Sequence, residues 1–119
     1  MKLLTKDIAD QLARNGRIRL QHQEDGKPEP DFRPVVKLFT PDAACTWLLT
    51  ETDPEDPDIA FGLCDLGLGF PELGSVRLSE IAAVRGRLGL PVERDLSFSA
   101  TKTLSQYAAD ARRRGAIRI

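Results

Sequence analysis

Histidine is almost absent from this chain: among 119 residues there is one, His22. Ser–His and Cys–His nucleophiles need an imidazole held beside them. His22 lies in the polar stretch "RIRLQHQEDGKPEPDFRP", read as a mobile loop over residues 21–32. Such a pair would require that loop to fold over the rest of the protein. Cysteine is nearly as scarce, and Cys45 and Cys64 make neither a disulfide framework nor a zinc spacing. A reduced, cytoplasmic setting is the expectation. Long apolar runs are missing too, so no membrane contact is expected. The opening "MKLLTKDIADQL" places Lys6, Asp7 and Asp10 where a signal peptide needs an unbroken apolar stretch. A net charge of −1 removes any global pull towards nucleic acid or acidic lipid.

What remains is ordinary in bulk and uneven in detail. Apolar residues make up 41 % and charged residues 29 %, as in a soluble globular protein. The length suits a single domain over 1–119, large enough to bury a core without metals or disulfides. Residues 51–72 carry seven carboxylates and no Lys or Arg, whereas residues 73–119 carry nine basic and four acidic side chains. Two surfaces of opposite sign can attract different partners, or each other.

The pattern along the chain predicts an α+β domain. Thr5 is placed to cap a first helix, with an apolar stripe at Leu4, Ile8 and Leu12 and Gly16 just past its end. Ile18 and Leu20 alternate with arginines, a faint strand signal. From Pro34 onward the signal is β: "VVKLF", then "CTWLLTET", then "IAFGLCDL", then "SVRLS". In the second of these, Cys45, Trp47 and Leu49 face one way and Thr46, Leu48 and Thr50 the other. Gly62 leaves room for Trp47 on the neighbouring strand. Ser79 caps a short helix, "EIAAVR", closed by Gly86, and "LPVERDLSF" is extended. Thr103 and Gln106 form a capping box for a last helix, with Leu104, Tyr107, Ala108 and Ala111 inward and Gly115 at its end. The expected architecture is an antiparallel sheet of about four to five strands in a meander, covered on one face by an N-terminal, a short middle and a C-terminal helix.

"FGLCDLGLGFPELGS", residues 61–75, is the stretch that looks most like a ligand loop. It is not a dinucleotide fingerprint, because Gly67-Leu68-Gly69 leads into Phe70-Pro71 and a strand, not into a helix N-terminus. No Lys-Ser/Thr follows, so it is not a P-loop. Turn chemistry explains it better: Gly67 and Gly69 permit positive φ and Pro71 fixes its own.

"VVKLFTPDAACTWLLTE", "FGLCDLGLGFPELG", "RLSEIAAVRG" and "GLPVERDLSF" together resemble a bacterial family designated Domain of Unknown Function 2958. The resemblance spans residues 34–98 and extends faintly to both ends. It implies a small cytoplasmic protein encoded on plasmids and integrative elements beside replication or transfer genes, and it brings no activity or cofactor. The polar residues it matches are Lys37, Thr46, Thr50, Glu51, Asp65, Glu72, Glu80, Arg85, Glu93, Arg94 and Asp95.

Three constellations remain as candidate chemistry. Glu51 to Asp58 crowds five carboxylates into eight residues, but it lacks the alternating ligands and central glycine of an EF-hand, and no metal is expected there. Arg94 falls in an apolar row with Val92, Leu96 and Phe98, so it needs a carboxylate partner, with Glu51, Asp65 and Glu72 available. Arg112, Arg113 and Arg114 complement the dipole of the last helix and spread around one turn, a poor match to a single phosphate track. At most they give DNA a loose, sequence-independent contact. The candidate binding residues are therefore Lys37, Thr46, Thr50, Glu51, Asp65, Glu72 and Arg94. No catalytic residue, metal site or cofactor is expected. The resulting expectation is a non-enzymatic accessory domain with a protein partner, linked to plasmid or integrative-element biology. Its rival is a small-ligand or metal-dependent domain built on the carboxylates of residues 51–72 with Arg94.

Overall fold

Thr5 starts the first helix, its hydroxyl accepting from the Ile8 N–H at 3.2 Å. In the computed structural model, which describes residues 3–119, helix α1 runs Lys6–Glu24. It therefore passes straight through Gly16, where the sequence predicts a stop, and takes in residues 17–20, where it hints at a strand. The glycine is there for close approach. A Cβ on Gly16 would lie 1.9 Å from the Thr52 carbonyl oxygen, so only glycine lets the helix sit this near the sheet. The real end comes at Asp25, followed by Gly26 at φ +67°. The polar loop thus begins at Asp25 and not at residue 21.

The strands are β1 (Val36–Phe39), β2 (Thr46–Asp53), β3 (Asp56–Asp65), β4 (Glu72–Arg77) and β5 (Glu93–Arg94). Helix α2 (Leu78–Ala83) follows β4, and α3 (Leu104–Arg114) follows β5. The sheet order is β4-β3-β2-β1-β5, with every pair antiparallel. The expected α+β class and meander are therefore present, with a short fifth strand returning beside β1.

Helices cover both faces, not one. Val36, Leu38, Trp47, Leu49 and Ala60 pack with Leu12 of α1, Ile81 of α2 and Val92. Leu48 and Leu63 pack on the opposite face with Leu104, Tyr107, Ala108 and Ala111 of α3. The physical reason is in β2 itself, where Trp47, Leu48 and Leu49 are all buried. A strand apolar on both faces needs cover on both.

The alternation read in β2 holds to Leu49 and then breaks. Leu49 lies opposite Gly62 and Glu51 opposite Phe61, so Thr50 is an inserted residue, a β-bulge. The bulge moves Glu51 from the face of Trp47 to that of Leu48 and Phe61. Gly62 is required here by main chain: its Cβ would stand 2.0 Å from the Leu48 carbonyl oxygen. Trp47 is in the core, as expected, but it is not what Gly62 makes room for.

Three further expectations shift. The acidic "DPEDPD" is mostly strand, with β2 and β3 joined by a tight turn at Pro54-Glu55 and Asp53 facing Asp56. Ser79 does not cap α2. It lies inside the helix, and its N–H (2.9 Å) and hydroxyl (2.7 Å) both donate to the Asp58 carboxylate on β3. The extended run after Arg94 stops at once, because Asp95 forms a turn with the Ser97 and Phe98 N–H groups. That turn leaves Leu96 exposed and sends Phe98 to the α3 face, splitting the predicted apolar row.

Candidate functional site

The seven candidate residues do not converge. Arg94 faces Leu38, Leu38 faces Trp47, Trp47 faces Cys64, and Cys64 faces Glu72 across the sheet. Four interstrand steps of ~4.8 Å hold Arg94 and Glu72 roughly 19 Å apart. Glu51 lies opposite Phe61, four residues along β3 from Asp65, or about 13 Å. Arg94 donates to the Leu3 carbonyl at 2.8 Å and ties the chain's beginning to β5. Asp65 is a buried clasp: its carboxylate accepts from Gly67 N–H (2.8 Å) and Ile117 N–H (2.9 Å), fastening the β3–β4 loop to the segment after α3. Thr46 pairs with Asp65 on that face, Lys37 bridges to Asp95 at 3.4 Å, and Glu72 is exposed on the edge strand β4.

The acidic hairpin is similarly committed to structure. Asp53 accepts from Glu55 N–H, Asp56 from Asp58 N–H, and Arg77 bridges Asp56 (3.3 Å) and Asp58 (3.6 Å). Hydrogen bonds from the Ser79 hydroxyl and N–H, then from Arg77, hold the Asp58 carboxyl below the usual carboxylate range. Among the described residues no three His, Cys, Asp or Glu side chains group as metal ligands. Both thiols are free. Burial pushes the Cys64 thiol up to about 11 and raises that of Cys45, so neither is an activated nucleophile.

Two other features are more prominent. The first is a cleft of about 360 Å³ between the second half of α1, the β2–β3 turn and the loop after α1. β1 pairs with β2 only as far as Leu49, and α1 takes its place beyond that point. The Asn15 amide donates to the Thr50 carbonyl at 2.8 Å, and Gly16 rests against the Thr52 carbonyl. One turn on, Arg19 reaches Glu51, whose other oxygen accepts from the Thr50 hydroxyl. The guanidinium also bridges Glu29 at 3.2 Å and lies 5.5 Å from the centre of the Phe61 ring. Burial opposes the charge on Arg19, but hydrogen bonding and attraction from Glu51, then from Glu29, outweigh it and hold the group above its ordinary value. Arg19 escapes a sequence reading that ends the helix at Gly16. The helical spacing Leu12, Gly16, Arg19, Gln23 carries the signal once the glycine is read as a contact.

The second feature is the opposite end of the sheet. The β3–β4 loop presents Leu66, Leu68 and Phe70 at 56 %, 74 % and 78 % exposure. The loop is shaped by Gly67 (φ +78°) and Gly69 (φ +87°), so the turn reading of "GLGF" holds. It is also anchored, by the Asp65 clasp and by Gly67 packed against Ala44. Asp42 in the β1–β2 loop binds the Leu88 and Leu90 N–H groups, bringing the exposed Leu88 to the same end. Arg112 of α3 shares an open groove with Phe70 and Leu73. Its neighbours Arg113 (2.6 Å) and Arg114 (3.3 Å) bridge to Asp110.

These features define a small α+β domain, an antiparallel meander between helices, with a charged cleft at one end and an apolar loop tip at the other. The chain belongs to the family described as protein of unknown function (DUF2958), whose profile matches residues 3–118. No curated protein and no solved structure matches the chain. No helix among the described residues is long and apolar enough to cross a membrane.

Proposed function

We propose that this domain is a non-enzymatic accessory module that docks a protein partner through the loop end of its sheet. The observation that carries this reading is the anchored display of Leu66, Leu68 and Phe70 in solvent. A loop free to rearrange would tuck such side chains away. Here the Asp65 hydrogen bonds and the close Gly67–Ala44 contact fix the loop in place. Clustered, rigidly exposed apolar groups mark interaction sites. Arg112 and the exposed Glu72 line the groove beside Phe70 and add charges of both signs, which fix the orientation of a partner with complementary charges. Nucleic acid is a poorer fit, since Asp110 engages two of the three consecutive arginines. Any DNA contact through Arg112, Arg113 and Arg114 is then weak and salt-sensitive. The setting in the cytoplasm and in plasmid or integrative-element biology is part of the proposal and follows from the family resemblance alone.

Affinity capture from the native host, with and without nuclease, tests the reading. The wild type should retain a partner that survives nuclease treatment, and the Leu68→Ser/Phe70→Ser double variant should lose it. Both positions are exposed, so circular dichroism should show an unchanged fold. Capture that is abolished by nuclease, or that is unaffected by the double variant, refutes the reading.

A further inference from the structure

We propose that the cleft beside Arg19 is a binding site for an organic cation, a primary ammonium or guanidinium on a short apolar stem. The site lies at the other end of the sheet from the proposed docking surface and does not depend on it. Its volume of about 360 Å³ falls in the range of small-molecule pockets and holds roughly a dozen waters.

The walls are built and not incidental. Asn15 and Gly16 lock α1 onto β2, and the bulge at Thr50 turns Glu51 towards Arg19. The sign of the ligand follows from the charges lining the cleft. Arg19 is the single cation in that lining; it bridges Glu29 and Glu51, and the Asp53 carboxylate lines the cleft with them. Glu51 and Arg19 neutralise one another in a part-buried hydrogen bond. Glu29, which also bridges Arg19 at 3.2 Å, and Asp53 stand at the rim, both exposed, and three carboxylates against one guanidinium leave the cleft negative. An anion entering here would have to displace a carboxylate from Arg19 and then face the other two. A cation meets the Asp53 carboxylate and shares Glu29 with Arg19, without breaking the Arg19–Glu51 pair. Leu20, Pro54 and Ile59 supply apolar surface for its stem. A metal ion is a poor fit, because the one buried carboxylate is already held by Arg19.

The same chemistry can come from a free amine or from a lysine or arginine side chain on a peptide. Amide chemical-shift titration of the full chain separates them, with butylguanidine as the free cation and N-acetyl-arginine amide as the side-chain mimic. Both should give saturable shifts at residues 16–23, 51–54 and 59–61, and tenfold tighter binding of one over the other identifies the source. Glu29→Gln/Asp53→Asn should weaken binding at least tenfold. Both positions are exposed, and the amide oxygen that replaces the Asp53 carboxylate can still accept from Glu55 N–H, so the fold is retained. Glu55→Gln, which removes an exposed carboxylate outside the cleft, should leave the affinity unchanged. The inference is overturned if neither cation saturates, if glutarate saturates in their place, or if Glu55→Gln weakens binding as much as the double variant.

Discussion

Replacing Gly16 by alanine sets two well-known effects against each other. In an exposed helix interior the change stabilises, because alanine is better than glycine by roughly 1 kcal/mol. Gly16 is buried, and the new methyl would lie 1.9 Å from the Thr52 carbonyl oxygen and 3.1 Å from its carbon. Neither side can yield cheaply. Thr52 is main chain in β2, paired with Ala60, and the helix is pinned one residue earlier by the Asn15–Thr50 hydrogen bond. Overpacking in cores costs typically ~1–3 kcal/mol, and a clash between two backbones sits at the top of that range or beyond. The net expectation is a loss of about 2 kcal/mol, reversing the usual sign. For a chain of this size that is a fall in melting temperature of about 8 °C. Urea unfolding of Gly16→Ala beside Arg17→Ala, an exposed neighbour on the same helix, provides the comparison. Arg17→Ala should be close to neutral. If Gly16→Ala is as stable as the wild type or more so, α1 does not rest on β2 at this residue, and the cleft beyond it loses its wall.

Trp47→Ala should cost roughly 3–5 kcal/mol, because the indole is buried between Leu38 and Cys64 in the cross-strand row; a fully stable variant would place it at the surface. Asp58 sets an acid limit. Its lowered folded pKa means that its stabilisation is complete above the unfolded value, about 3.9, and is lost as pH falls through the folded one. The urea midpoint of Asp58→Asn should therefore vary less than that of the wild type below about pH 4, and an identical pH profile would remove the Asp58–Ser79 link from the account. The Cys64 thiol, raised to about 11, should resist iodoacetamide at neutral pH and react faster as pH climbs towards that value; rapid labelling of the folded protein at neutral pH would contradict the raised value.

The elements with strong local signals are legible in the sequence. Thr5, the Thr103–Gln106 capping box and the inward face of α3 are where periodicity and capping chemistry put them. The departures share one cause, a residue with two physical meanings. Glycine ends helices and also permits close approach, and at Gly16 the second applies. An alternating strand keeps its faces only until a bulge, and nothing local at Thr50 announces the extra residue. The sequence offers Glu51 an arginine partner from a neighbouring extended segment, Arg94. The actual partner comes from a helix 32 residues earlier, because the bulge and the glycine act together to bring Arg19 there. The leucines of the β3–β4 loop are visible in the sequence, but their exposure depends on tertiary anchors such as Asp65 and Ala44.

The separation of the two candidate surfaces follows from the meander. Hairpin connections alternate between the ends of a sheet. The β1–β2 and β3–β4 loops therefore share one end, and the β2–β3 turn lies at the other with the end of α1. The acidic stretch of residues 51–72 is divided by the same rule. Glu51 to Asp58 belongs to the cleft end, and Asp65 and Glu72 to the loop end, so its sequence clustering overstates any single acidic site. β3 joins the two ends with ten residues, a span of about 33 Å. The Debye length at physiological salt is about 8 Å, so charges at one end are screened from the other. Charge changes in the cleft therefore should not reach the docking loop electrostatically. Coupling between the ends would have to pass through movement of the sheet. The β2–β3 pairing, with Leu48, Leu49 and Leu63 fully buried at its centre, is the part of the molecule least able to move.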